Sequence, residues 1–590
     1  MRRRDFLRAL SLLAPATTAL SAQAAGAAED LLLRAMRDEL ERSRTLSLAS
    51  LDRPYFIEYG LDDLESFSAL ATLGALIQSR ALRVRLPRVR VRVGDYQFDN
   101  SNYVFSDYFS GTRLDPDQLT IDDHYGAIRA HFWLATDRAY KTAVEAIARK
   151  RAALKNVTLN AELPDFFKAQ PVVKLRPIVR TKLDTKELIA RAKELSSVFL
   201  SYPEVLNSSV SVDVNQSARY LLNSEGTSVR VPDPLALVQI RAQGQAPDGM
   251  PLRSAEVVVS QSYKDLPPMS QLRAIAQRVA DHIRALTQAP VGETWSGPVL
   301  IEGEAAAQLI AELVGTHLAI QRRPVGEPGR TFTFPSSELE GRLGSRILPE
   351  FLSVIDDPTR AHFQGKPLAG HYEVDEEGVE PKPVTVIKAG RLESYLLTRQ
   401  PVKGASASNG RARLPGAFGA YLAAYSNLIV ESSESMPLAK LKARLLELCA
   451  QRDKPYGIIV RRMDFPSSAS VEEVRRIAAA AAQSGSAGRP VSLPILAYRI
   501  YADGREELIR GVRFRGLSVR SLKDILAVSS EVTVFSFLNN SAPFALMGAA
   551  SHVAPSSVVA PSLLFEDLEL ERPQEDLPKL STVPPPPLDA

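Results

Sequence analysis

The stretch AELVGTHLAI, residues 311–320, decides how this chain is understood. It belongs to the longer run EGEAAAQLIAELVGTHLAIQRR, residues 302–323, whose apolar residues recur every three or four positions. That period predicts a helix. On its own residues the run is an ordinary amphipathic helix with one glutamate, Glu312, and one histidine, His317. Its meaning therefore depends on what surrounds it.

The chain has 590 residues, enough for several domains. A hydrophobic content of 45% and a charged content of 24% are those of a globular protein. A formal net charge of +4 is small for this length and gives no sign of a nucleic-acid partner. The single cysteine, Cys449, excludes an intramolecular disulfide. It sits in the helix-period run MPLAKLKARLLELCAQ and reads as a small buried apolar residue.

The first 28 residues read as an export leader, with a basic start, a moderate apolar run and Ala22-Gln23-Ala24 at A-x-A spacing. Arg3-Arg4-Asp5-Phe6-Leu7 fits the twin-arginine pattern, so the mature protein is expected to be exported, to the periplasm where there is one. Beyond the leader, no apolar run of 18 or more residues predicts a transmembrane segment.

Further along, EDLLLRAMRDELERSRTL and FWLATDRAYKTAVEAIARKRAALKN predict helices. Between them LRVRLPRVRVRVGDYQF alternates Arg and Val, which predicts strands with one solvated face. Strand-like pieces such as SVSVDVNQ and AEVVVSQSY follow, then the helix MSQLRAIAQRVADHIRALTQA and a linker, APVGETWSGP. The second half opens with the strand GPVLIEG. It contains hairpins expected to turn at Ala389-Gly390 and at Asp503-Gly504. VEEVRRIAAAAAQS predicts another helix, and the Pro-rich end reads as a disordered tail. The expected fold is α+β: an N-terminal mixed α/β domain, then a C-terminal domain of curved, largely antiparallel β-sheets with packed helices. The expected divisions are a leader 1–28, an N-terminal and middle region 29–290, a C-terminal domain 291–572 and a tail 573–590.

Several stretches of the second half stand in the order seen in one family. SVIDDPT (353–359), HYEVDEEGV (371–379), VTVIKAGRLESYLLTR (384–399), SNGRAR (408–413), SLKDILAVSSEV (521–532) and APSLLFEDLEL (560–570) each match one of its elements. Over roughly 290–572 the chain resembles the TldD/TldE (PmbA) family of metallopeptidases.

The resemblance implies a zinc site. Catalytic members carry H-E-x-x-x-H on the helix and a cysteine thiolate near the C-terminus. Two imidazoles on one helix face and a thiolate hold the metal, an open position takes water, and the glutamate is general base. Here the ligand positions read Ala311 and Thr316, and the cysteine position falls at Met547, or Leu546. Only Glu312 remains, as a remnant of the base. On an α-helix, one residue is about 100° of rotation, which takes His317 off the ligand face. Candidates for a rebuilt site are His317, His552 and His371.

By resemblance the protein is a homodimer or pairs with a TldD/TldE-type paralogue, and binds extended or unfolded peptide. The expected role is a non-catalytic subunit without a cofactor. The alternatives are a working metallopeptidase, with zinc held by rebuilt ligands or by a partner chain, and an envelope interaction or structural protein. Neither a P-loop nor a G-x-S-x-G nucleophile elbow is found in the sequence.

Overall fold

The computed structural model describes residues 30–47, 52–105, 119–155, 163–326, 337–405, 407–415, 420–465, 491–539, 554–572 and 577. Two sheets organise the described residues. The first is built on two 19-residue strands, β1 (Pro54–Thr72) and β2 (Ala75–Val93), paired antiparallel as one long hairpin. β1 also pairs antiparallel with β3 (Asn207–Asn223), and β3 with β4 (Ser228–Gln245). β5 (Pro251–Ser260) and the short segment Val173–Leu175 complete it along β4.

One face of this sheet carries two helix pairs at opposite ends of its strands. Ile57, Tyr59 and Leu61 of β1 pack with helices α1 (Leu31–Ser43) and α2 (Tyr125–Leu154). Phe67, Ala69 and Ala71 pack with α3 (Thr185–Ser197) and α4 (Met269–Gln288). All six are odd-numbered positions, so a strand period of two puts them on one side. Between the pairs, Asp63 is buried and accepts from Arg83, Arg85 and Arg180.

The opposite face corrects a sequence expectation. Val89, Val91 and Val93 of β2 point into the helix layer, which puts Arg88, Arg90 and Arg92 on the other side. That side is not solvated: the three side chains are only 22%, 17% and 12% exposed. Acidic residues of the sheet and of the second half cover them. A wet and a dry face alternate with the same period as two dry faces, one of them ionic.

The second sheet is an eleven-stranded assembly around one long strand, Ala554–Glu571. That strand pairs antiparallel with Trp295–Ile301 and with Ile525–Asn539, and parallel with Asn427–Ser432. Trp295 therefore begins a strand inside the stretch expected to be a linker. Both hairpin expectations hold. Ala389 and Gly390 have φ of 44° and 75° and join strands paired Lys388↔Arg391, while Gly504 has φ of 84° in the Asp503-Gly504 turn. The VEEVRRIAAAAAQS prediction and most of the Pro-rich tail lie outside the described residues. No described helix is long and apolar enough to cross a membrane.

Candidate functional site

The helix expected over 302–323 spans 304–318, keeps one polar stripe, and is not α-helical throughout. An α-helical part, Glu304–Ile310, runs into a π-helical turn, Ala311–Gly315, and a last helical turn, Thr316–Leu318. Residues 305–311 are all buried, because the segment packs against the second sheet and contributes to its core. The polar positions Glu304, Gln308, Glu312 and Thr316 recur every four residues, and of these only Gln308 is fully buried.

The π turn changes the geometry expected of positions 311 and 316. Five residues on an α-helix subtend about 500°, leaving the two side chains about 140° apart. Here the Thr316 N–H donates to the Ala311 carbonyl, an i to i−5 bond, and the Thr316 hydroxyl donates to the same oxygen at 3.2 Å. That register brings residues five apart close to one face. Gly315 makes the turn fit, since a Cβ there would lie 2.6 Å from Cε1 of Tyr425. The Tyr425 ring continues into an aromatic cluster through Phe537 to Phe465 and Phe535.

The geometry is suited to paired ligands, but the residues are not. Ala311 is fully buried and has no donor atom. The Thr316 hydroxyl is engaged by backbone, and a neutral hydroxyl is a weak zinc ligand. Both Glu312 carboxylate oxygens accept from Ser492, one from its N–H at 2.9 Å and one from its hydroxyl. His317 accepts the Glu338 N–H on Nδ1 at 3.2 Å, and its carbonyl takes the Ser337 hydroxyl at 2.6 Å. Burial lowers the His317 pKa, so its ring is neutral at pH 7.

His371 is held elsewhere, with Nδ1 at 2.9 Å from the Pro358 carbonyl. Met547, Leu546 and His552 lie outside the described residues. Among the described residues, no three His, Cys, Asp or Glu side chains gather as a metal site. Cys449 is buried, with its thiol pushed up to about 11 by desolvation, which keeps it protonated. The donor set on the described turn does not fit a catalytic zinc ion.

The acidic and basic motifs singled out in the sequence meet in a buried junction. Asp356, of SVIDDPT, accepts from the Nε of Arg411, of SNGRAR, and both side chains are fully buried. The other Asp356 oxygen takes the N–H and hydroxyl of Ser426 at 2.8 and 3.0 Å. Asp375, of HYEVDEEGV, accepts the N–H groups of Glu377, Val379 and Ala412 at 2.9, 2.8 and 3.0 Å. Its carboxyl is pushed up to about 7, by desolvation first and by the Glu377 charge second.

The same acidic loop grips the first sheet. Glu376 accepts from Arg88 at 3.1 Å and from Arg219, while Arg90 lies 3.8 Å from Glu58 and 3.7 Å from Glu377. Arg90 also stacks 3.8 Å over the Tyr421 ring. Arg399, fully buried, reaches across to Glu225 at 2.7 Å and to the Phe167 carbonyl at 2.9 Å. Sequence reasoning missed this interface. The available signal was charge: a run of alternating arginines in one half and an Asp-Glu-Glu run in the other.

Residues 294–572 match the family model described as the PmbA/TldA metallopeptidase C-terminal domain. The fold is similar to that of TldE from Thermococcus kodakarensis, with a TM-score of 0.55 and 14% identity, over 91% of this chain and all of that one. A metalloprotease of Methanothermobacter thermautotrophicus is 23% identical over 217 residues, 37% of this chain and 43% of that protein. A metalloprotease of Archaeoglobus fulgidus is 33% identical over 78 residues, 13% of this chain and 17% of that protein. The chain thus matches less than half the length of each of these two metalloproteases. By the family-model match, residues 294–572 are a TldD/TldE-type C-terminal domain.

Proposed function

We propose that this TldD/TldE-family chain is an exported, non-catalytic subunit of a peptidase-like assembly, binding extended or unfolded peptide beside a partner. One observation carries the proposal. The turn that sets residues five apart near one face has Ala311 and Thr316 at those places, and its glutamate is tied to Ser492. Retaining the fold while losing donor atoms suits a protein that binds and positions a chain without activating water. The twin-arginine leader supports export with a partner, because that route carries folded proteins. The partner is a second copy or a TldD/TldE-type paralogue.

The metalloprotease names of the relatives favour a second reading, proteolysis by a complex whose metal is held by the partner chain. The test is metal content, measured by plasma mass spectrometry on native protein prepared without chelator or affinity metal. Below about 0.1 zinc or iron per chain is expected. About one metal per chain, lost on substituting His317 or His552, overturns the proposal and makes this polypeptide the metalloenzyme.

A further inference from the structure

A shallow, open cleft of about 340 Å³ lies between α1 and α2, lined by residues of those two helices alone. Its polar wall is built on one buried carboxylate. Glu39 is 2% exposed and accepts from Arg42 Nε at 2.8 Å and Arg42 Nη2 on one oxygen. The other oxygen accepts from Nε and Nη2 of Arg129, both at 3.3 Å. Arg129 also donates through Nη1 to the Tyr125 hydroxyl at 3.1 Å, and Tyr125 donates to Asp38 at 2.6 Å.

One glutamate thus fixes two guanidiniums side by side, and with Arg34 paired to Asp38 at 3.8 Å the cluster has three arginines against two carboxylates, one positive charge in excess. Each guanidinium has five N–H groups, and neither spends all of them on these partners. Their outer edges reach solvent, with Arg42 42% and Arg129 31% exposed. Along α2 the cleft continues over Gly126 and Ala130 to Trp133. The two small residues leave room above the helix, and the Trp133 ring stands 51% exposed at the far wall. An exposed indole within reach of two oriented guanidiniums joins an apolar wall to a carboxylate-binding fork.

From this arrangement we infer that the cleft binds a carboxylate bearing an apolar or aromatic group, the chemistry found at the C-terminus of a peptide. The guanidinium edges of Arg42 and Arg129 take the carboxylate oxygens, and Trp133 takes the apolar group. The cleft is separate from the π turn, so the inference stands whether or not the chain serves a peptidase.

The chain has two tryptophans, and the other, Trp295, is buried in the second sheet. Tryptophan emission of the full protein, titrated with N-acetyl-L-phenylalanine, therefore reports on the cleft. The expected result is a saturable change that the corresponding amide does not produce. Affinity should fall about tenfold or more in Arg42→Gln and in Arg129→Gln, each losing a charge-assisted hydrogen bond. Unchanged far-ultraviolet dichroism confirms that these variants fold, and Arg42, on the surface, is the safer of the two. Trp133→Phe should remove the emission change while leaving Trp295 emission in place. The inference is overturned by no saturation, by equal binding of the amide, by equal binding of inorganic phosphate, or by a signal that persists in Trp133→Phe.

Discussion

Arg411 and Asp356 form an ion pair in which neither side chain has any exposure to solvent. The guanidinium also donates through Nη2 to the carbonyls of Asp356 at 3.0 Å and Lys382 at 2.7 Å, and through Nη1 to that of Asn409. Removing one partner leaves an unpaired charge in a dry site, which typically costs about 3–5 kcal/mol. Arg411→Met should lower stability by that order in urea unfolding. Arg411→Met with Asp356→Asn should recover part of the loss. A single variant as stable as the parent would show that water reaches the pair.

Asp375 makes stability depend on pH. Its folded-state value of about 7 lies above that of an ordinary carboxyl, so folding favours the protonated form. The stabilising contribution is complete below the unfolded value of about 3.9 and disappears as pH rises towards 7. Glu377 faces this carboxyl and raises it, three backbone N–H groups oppose that, and Arg411 and Tyr372 also interact with it. Comparing unfolding midpoints of the parent and Asp375→Asn from pH 4 to 8 isolates the effect. The parent should lose stability relative to the variant by a few kcal/mol at most, since one pKa unit is about 1.4 kcal/mol. Parallel curves would place Asp375 in an ordinary carboxylate environment.

Gly315 should not tolerate alanine. The added methyl would meet three atoms of the Tyr425 ring at 2.6–2.9 Å, and that ring packs on in the core. Overpacking of this kind costs about 1–3 kcal/mol. Gly315→Ala should melt several degrees lower, and Gly315→Ala with Tyr425→Leu should regain part of the difference. Failure of the double substitution to help would mean that the backbone of the π turn, not the ring, resists the methyl.

Glu312 separates the two proposed readings of the π turn. As an anchor for Ser492, it should lose stability on Glu312→Ala, by about 1–3 kcal/mol for donors left without an acceptor. Glu312→Gln, which keeps one acceptor oxygen, should lose less. Calorimetric melting of both variants is the measurement. Full stability of Glu312→Ala, together with loss of peptide hydrolysis by the native assembly, would make the glutamate a base again.

What the residues alone settled is local. Periods of two and of three to four marked the Arg/Val strands and the helices α1, α2 and α4, and two glycine-containing turns marked hairpins. Motif order over 353–570 marked the resemblance of the C-terminal domain, and positions 311 and 316 are read directly as Ala and Thr. Each of these depends on neighbours within one element or on residue identity, so the sequence contains it outright.

What only the tertiary structure decided concerns partners far apart along the chain. Nothing local distinguishes a solvated arginine from one that meets Glu376, which lies 288 positions from Arg88. Nor does period betray a π turn, because the extra residue is stabilised by packing of Gly315 against Tyr425 and not by propensity. The Asp356–Arg411 pair, the grip of Asp-Glu-Glu on the first sheet and the fork of Arg42 and Arg129 over Glu39 share that origin. A buried charge is tolerated only where the fold delivers its counter-charge, and that delivery belongs to the topology.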